Sequence, residues 1–370
     1  PAFGRTLPTR GRETPRTASA LALQQCECRS HKGEGKSPRF FRYAAAALML
    51  CAANTVAFPT HAEVRSFEVF SRPITHFRID SRETRFGPLE FVGGLEMTSW
   101  ERDFGALSSI RMLPGGDAFL GVADTGFWFS GRLVRDEKDA PAGVADFRMA
   151  DILDAKGKPR PQKWEADAEG VALDGDDAIV SFERVHAISR FTLDLTEFAS
   201  RPREMGIPVS LRELRSNKGF ETLALAPPAS PLAGALVAVT ERSLDKQRNI
   251  MAAVIGGKRA GEFSVKRIGV YDITDGDFLP NGDLLLLERR FSMADGVAMR
   301  IRRIAGKDIK PGATVDGPIV LEADMRYQID NMEGLSVSRG ANGYTLVTLV
   351  SDDNHSLLQR NLLLQFRWVE

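Results

Sequence analysis

Acidic residues recur in this chain at one place in a repeating unit. Glu169-Gly170-Val171-Ala172-Leu173, Glu221-Thr222-Leu223-Ala224-Leu225, Asp275-Gly276-Asp277-Phe278-Leu279 and Glu333-Gly334-Leu335-Ser336-Val337 each open a short run. Glu96-Met97-Thr98-Ser99 opens a looser one. A second acid closes each unit: Asp124, Glu183, Glu241, Glu288 and Asp352, the last followed by Asp353. Carboxylates that converge repel one another, and such a set persists where a cation binds, where protons are shared, or where Arg neutralises it. Oxygen donors with few histidines favour a hard cation, Ca²⁺ or Mg²⁺, over zinc. The expected metal ligands are therefore Glu96, Glu169, Glu221, Asp275, Glu333, Asp352 and Asp353. Arg184, Arg242 and Arg289 follow second-set acids and suit a phosphate or carboxylate group beside a metal. His186 and His355 are the histidines near these segments, and a lone His is more often structural than catalytic.

The elements that must position these acids are short β-type runs split by turn residues. Ala178-Ile179-Val180-Ser181-Phe182 follows Asp174-Gly175-Asp176, Leu284-Leu285-Leu286-Leu287 follows Pro280-Asn281-Gly282-Asp283, and Tyr344-Thr345-Leu346-Val347-Thr348-Leu349-Val350 follows Ala341-Asn342-Gly343. These are hairpin signals. The first acids stand 73, 52, 54 and 58 residues apart along the chain. Repeats of four short antiparallel strands describe an all-β propeller. Five blades are expected, or six if the long 96–169 interval hides a degenerate one, over a single domain at 63–370. Strands around Ser66–Phe70 and His76–Ile79 would pair with the C-terminal strands and close the ring. A β-sandwich is the competing fold, but it does not require hairpins that begin and end with acids. In a propeller the innermost strands line the axis. Glu96, Glu169, Glu221, Asp275 and Glu333 then form one ring, and the second acids form another beside it.

Composition removes several function classes. The chain has 370 residues, 43% hydrophobic and 26% charged, with 49 basic against 49 acidic residues. Zero net charge argues against a nucleic-acid partner. Residues 1–38 are Arg-, Thr- and Ser-rich without apolar periodicity and read as non-structural. Arg39 and Arg42, an apolar stretch through Ala44–Ala53 and the ending Thr60-His61-Ala62 read as a signal peptide over 39–62. Its apolar part is too short for a permanent membrane anchor. Cys26, Cys28 and Cys51 all lie before that cleavage point, so disulfides, thiol catalysis and thiolate metal ligation are excluded from the mature chain. A periplasmic or secreted monomer acting on a small molecule is expected. No phosphate loop, dinucleotide fingerprint or Ser elbow is present.

With these motifs the sequence resembles the bacterial phytase-like domain, "esterase-like activity of phytase", from about Gly94 to the C-terminus. The resemblance rests on Asp167-Ala168-Glu169-Gly170 with Ser181-Phe182-Glu183-Arg184, Gly219-Phe220-Glu221-Thr222 with Thr240-Glu241-Arg242, Phe278-Leu279-Pro280-Asn281-Gly282-Asp283 with Leu287-Glu288-Arg289, and Asn331-Met332-Glu333-Gly334 with Ser351-Asp352-Asp353-Asn354. Asp275 departs from the Glu of the other repeats. The resemblance implies a phosphodiesterase- or phytase-like activity carried by the repeated acids. The expected function is metal-dependent hydrolysis of a phosphate ester, with Glu169, Glu221 and Glu333 as ligands or general base and Arg184, Arg242 and Arg289 stabilising phosphate charge. Two alternatives stay open: a non-catalytic, calcium-stiffened binding propeller of the cell envelope, and a carboxylester or lactone hydrolase.

Overall fold

Alternation and turn chemistry build five sheets among the described residues. The computed structural model describes residues 62–160, 162–207 and 219–370. The leader at 1–38 and all but the last residue of the 39–62 signal lie outside them. The first blade runs outward through Leu107–Met112, Ala118–Ala123, Phe127–Arg135 and Pro141–Asp151. The second uses Ala168–Asp174, Asp177–Phe182, Ala187–Thr192 and Arg203–Met205. The third uses Phe220–Leu225, Leu236–Leu244, Ile250–Ile255 and Gly261–Val265, and the fourth Asp272–Phe278, Leu284–Ser292, Gly296–Ile304 and Ile319–Ala323. The fifth starts with Asn331–Arg339, Thr345–Asp352 and Asn361–Trp368 and continues outward into Leu89–Thr98 and Phe70–Ile74. The architecture is an all-β, five-bladed propeller.

Three details depart from the sequence expectation. No sixth sheet forms among the described residues, because the 96–169 interval is filled by the long strands of the first blade. Three blades exceed four strands by recruiting remote segments: Arg65–Ser66 pairs with Arg148 and Met149 at the edge of the first, Thr314–Val315 runs parallel to the edge of the third, and Leu89–Thr98 with Phe70–Ile74 extends the fifth. The two expected N-terminal strands therefore separate. Phe70–Ile74 pairs with Leu89–Thr98, which pairs in turn with Asn361–Trp368, whereas 76–79 contributes only the bridge between Arg78 and Tyr327.

Hairpins turn where glycine supplies a left-handed residue, as at Gly282 (φ 87°) and Gly343 (φ 77°). Burial occurs between blades, in five clusters. Leu120, Val122 and Trp128 meet Val171, Val180 and Phe191. Ala172 and Ile179 meet Leu223 and Ala238. Val237 and Val239 meet Leu284 and Leu286. Leu285 and Ile301 meet Leu335, Val347 and Leu364. Leu95, Met97 and Leu363 meet Ile110, Phe119 and Phe129. Each sheet is apolar on both faces because a neighbour packs on each side, so its strands read as continuous apolar runs.

Candidate metal centre at the axial mouth

All five inner strands start at the same end of the ring, and each breaks its pairing register there. The breaks fall between Leu107 and Ser109, Ala168 and Val171, Phe220 and Thr222, Ile273 and Asp275, and Met332 and Gly334. The residue left over at each bulge is Ser108, Glu169, Glu221, Thr274 or Glu333. A bulge leaves one residue outside the ladder and re-aims its side chain. The second strands finish beside these bulges. The second-strand residues one step past the pair that precedes each bulge are Asp124, Glu183, Glu241, Arg289 and Asp352, read from the pairs Leu107–Ala123, Ala168–Phe182, Phe220–Thr240, Ile273–Glu288 and Met332–Ser351.

These positions converge on a polar cavity of about 210 Å³ lined by Ser108, Asp124, Glu169, Glu183, Glu221, Glu241, Arg289, Glu333, Asp352 and Asn354. Seven carboxylates thus come from four blades, and the fourth blade supplies the guanidinium. Carboxylate oxygens of Asp167, Glu169 and Glu183 lie within 4.8 Å of one another, and so do those of Glu183, Glu221 and Glu241. The Glu-Gly pairs have a steric reason. A Cβ on Gly170 would collide with the Glu221 carbonyl of the next inner strand, and one on Gly334 would lie 3.2 Å from the Ile110 amide. Glycine lets the inner strands approach closely enough for their acids to meet.

Enclosure sets the electrostatics. Burial, reinforced by Asp167 and Glu183, holds Glu169 well above the usual carboxylate range. Burial does the same to Glu221, with Glu169 and Glu241 adding repulsion. Glu333 is raised by burial to about 7, although Arg289 opposes the shift. Asp352 is raised by burial to about 8 against the Asn354 amide. Arg289 keeps its charge: burial works against it, but Glu333, Glu241, Glu221 and Asp352 outweigh that cost. Its Nη2 lies 3.1 Å from Glu333 Oε1, and Asn331 Nδ2 donates to the same oxygen at 2.8 Å. The carboxylates outnumber the lining cation seven to one. An all-oxygen donor set with excess negative charge and two clusters sharing Glu183 fits a hard divalent cation. These buried acidic clusters can bind a metal ion.

Four expected acids and two expected arginines lie elsewhere. Glu96 sits on Leu89–Thr98, the fourth strand out in its blade, paired with Arg72 at 2.5 Å. Its place in the inner ring belongs to Ser108. Asp275 is one residue past its bulge and turns away from the mouth into the closed axis, where it pairs with Arg111 at 2.9 Å; Thr274 holds the ring register and donates to the Met332 carbonyl. Glu288 of the second set is paired to Ile273 and points into the blade, where Arg300 and Arg302 hold it. Asp353 accepts from the Ala106 and His355 amides at 3.3 and 3.1 Å and lines a neighbouring cleft with His355. Arg184 and Arg242 do not line the mouth. They pair with Asp167 at 2.8 Å and with Asp272, because each stands one residue after the ring position that Arg289 occupies itself. His186 lines a separate cleft near Trp164. Reasoning from sequence missed Ser108 and Asp167 as site residues, whereas Asn354 stands in the 352–355 loop expected to add oxygen ligands. The Asp167-Ala168-Glu169 spacing was the available signal for Asp167, since alternate strand residues share a face.

The family described as "Phytase-like: Esterase-like activity of phytase" matches residues 102–355, a span that takes in all ten mouth residues. No curated protein matches the chain. Among solved structures, it is similar to the PQQ-bound aldose sugar dehydrogenase of Streptomyces coelicolor, at 12% identity over 74% of this chain and 97% of that one, with a TM-score of 0.37. It is also similar to the endo-arabinase of Bacteroides thetaiotaomicron, at 11% identity over 71% of this chain and 94% of that one, with a TM-score of 0.43. Among the described residues no helix is long and apolar enough to cross a membrane. By the extent of the family match and the in-register acids that it spans, the chain belongs to the phytase-like family, esterase-like activity of phytase.

Proposed function

We propose that the chain is an exported hydrolase of phosphate esters that works with a divalent cation, Ca²⁺ in the first place, at the axial mouth. The observation that carries this reading is the convergence of seven carboxylates around a single guanidinium in one small cavity. An anionic ester cannot enter such a site unless positive charge is added first. Asp167, Glu169, Glu183, Glu221 and Glu241 would hold the cation, since their oxygens already cluster. When bound, the cation polarises a phosphoryl oxygen and lowers the pKa of a bound water.

The remaining mouth residues divide the other work. Glu333 stands outside both clusters, and its proton affinity near 7 is matched to proton transfer at neutral pH. Asn331 and Arg289 fix its orientation through Oε1. Arg289 stabilises negative charge on the ester oxygens. Arg184 and Arg242, tied to Asp167 and Asp272, assist only from the rim. The reading also takes the pairing of Leu89–Thr98 with Asn361–Trp368 as the closure of the ring, residues 63–370 as one domain acting as a monomer without nucleic acid, and residues 39–62 as the export signal.

The test is turnover of p-nitrophenyl phosphate and bis-p-nitrophenyl phosphate with added Ca²⁺, with Mg²⁺ and with EDTA. Cleavage that needs the cation and disappears in Glu333→Gln while cation binding persists supports the reading. Metal-dependent cleavage of lactones or acetate esters without phosphatase activity moves the substrate class to carboxylic esters. Metal-dependent melting with no turnover of either class makes the protein a binding propeller.

A further inference from the structure

The end of the ring that holds the acidic mouth also carries the apolar side chains most open to solvent. Among the described residues the six most exposed large ones are Trp100, Val270, Phe291, Met293, Leu357 and Leu358. All six lie on loops or strand ends at the mouth end, where the inner strands begin and the second strands finish. Single exposed apolar residues are ordinary; their gathering at one end, beside a polar cavity, is not.

Two of them border an open cleft whose other walls are polar. The cleft, of about 880 Å³, opens between the loop after Leu89–Thr98 and the loop after Thr345–Asp352, with Trp100 and Leu357 among its walls. One loop, 352–355, contributes to both the cleft and the mouth. Asp352 and Asn354 line the mouth, and the alternate residues Asp353 and His355 line the cleft. The Ala106 amide donates to Asp353 Oδ1, which ties the two loops together two residues before Ser108 of the mouth. Trp100 is 89% exposed, yet its indole is placed: the Phe70 ring meets it edge-on at 6.2 Å, and Ser99 Oγ anchors the turn on the Glu68 carbonyl at 2.8 Å. An exposed indole positioned by a second ring is a platform for a planar apolar group.

We propose that this cleft is the subsite for the organic arm of the substrate, and that the arm is bulky, apolar and planar. The inference rests on the phosphate-ester reading of the mouth. The ester sits at the carboxylates and Arg289, while the arm lies across Trp100 with Leu357 over it. The substrate class is narrowed to aryl and similarly flat esters rather than densely hydroxylated or multiply phosphorylated ones, whose hydration an indole surface does not replace.

The test measures binding without turnover. Phenylphosphonate and methylphosphonate carry the same anionic head on different arms, and both are titrated calorimetrically into the full chain with saturating Ca²⁺. The expected result is about tenfold tighter binding of phenylphosphonate, a ratio that falls to near one in Trp100→Ala and in Leu357→Ser and is largely kept in Trp100→Phe. Unchanged melting temperatures show that the variants fold. Equal binding of the two phosphonates by the natural chain, or a ratio that survives Trp100→Ala, overturns the subsite and leaves the mouth reading standing. If neither phosphonate binds, the phosphate-ester reading fails, and the subsite fails with it.

Discussion

Removing Arg111 should destabilise the ring more than any substitution at the mouth. Its guanidinium is buried on the axis, one layer below the carboxylates. Nη1 donates to Asp275 Oδ2 at 2.9 Å and to the carbonyls of Ile110 at 2.6 Å and Leu335 at 2.7 Å. Nη2 donates to Asp275 Oδ1 at 2.9 Å and to the carbonyls of Leu223 at 2.8 Å and Gly276 at 3.0 Å. Asp275 accepts in turn from Ser109 Oγ and from the Leu335 and Gly276 amides. Four inner strands therefore end on one ion pair, and the Val171 amide brings in the fifth through Ser109 Oγ at 3.3 Å. Arg111→Met leaves a buried carboxylate without its cation and four carbonyls without a donor. Breaking a buried pair from one side costs about 3–5 kcal/mol, and each orphaned carbonyl adds on the order of 1 kcal/mol. A loss at or above about 4 kcal/mol is expected, a large part of a typical domain's stability. Urea denaturation near pH 7, with the m-value checked for constancy, measures it. Burial already raises the Asp275 carboxyl and Arg111 opposes that rise, so without Arg111 it binds a proton more readily. The loss should then shrink as pH falls. A double variant, Arg111→Met with Asp275→Leu, should not recover, because the backbone groups lose their partners either way. A loss under about 1 kcal/mol, or full recovery in the double variant, refutes the view of this pair as a hub.

The mouth carboxyls set a pH dependence of opposite sign to the usual acid effect. Glu333 near 7 and Asp352 near 8 hold protons that the unfolded chain releases near 4. Their stabilising contribution is complete below about pH 4 and is lost as pH rises through 7 to 8, so the melting temperature in EDTA should fall between about pH 5.5 and pH 8. Added Ca²⁺ should raise it more at pH 8 than at pH 5.5, since ligands must lose their protons to bind. A melting temperature that climbs with pH in EDTA contradicts the assignment. Gly170→Val should cost at least about 1–3 kcal/mol and weaken cation binding together, because its side chain meets the Glu221 carbonyl. Gly143→Ala, where an added Cβ meets only Val134 Cβ at 3.8 Å, should be near neutral by the same melt.

The sequence makes the repeat legible but not its register. Hairpin turns, acids at both ends of each hairpin and a spacing of about 55 residues all point to a propeller, and Glu169, Glu221 and Glu333 meet in the structure. The failures are slips of one residue or one strand. Glu288-Arg289 reads like Glu183-Arg184 and Glu241-Arg242, yet in the fourth blade Glu288 faces Ile273, the residue before the bulge, so Arg289 takes the acid's place. In a strand a shift of one reverses which face a side chain occupies, and nothing local marks where a bulge falls. Asp275 misled for the same reason. Glu96 misled because it stands 73 residues before Glu169, whereas Ser108, the true ring member, stands 61 before it and is not an acid. The Arg111–Asp275 pair joins segments 164 residues apart and was invisible locally.

The central claim is that acids from remote segments share one cation. Calorimetric titration of Ca²⁺ into the natural chain, Glu183→Gln and Glu96→Gln tests it most directly. Glu183 belongs to both clusters, whereas Glu96 lies on the fourth strand out from the axis. The predicted result is saturable binding that weakens by at least about tenfold in Glu183→Gln, roughly 1.4 kcal/mol or more, and is unchanged in Glu96→Gln. Absence of binding by the natural chain, or equal losses in the two variants, contradicts the account.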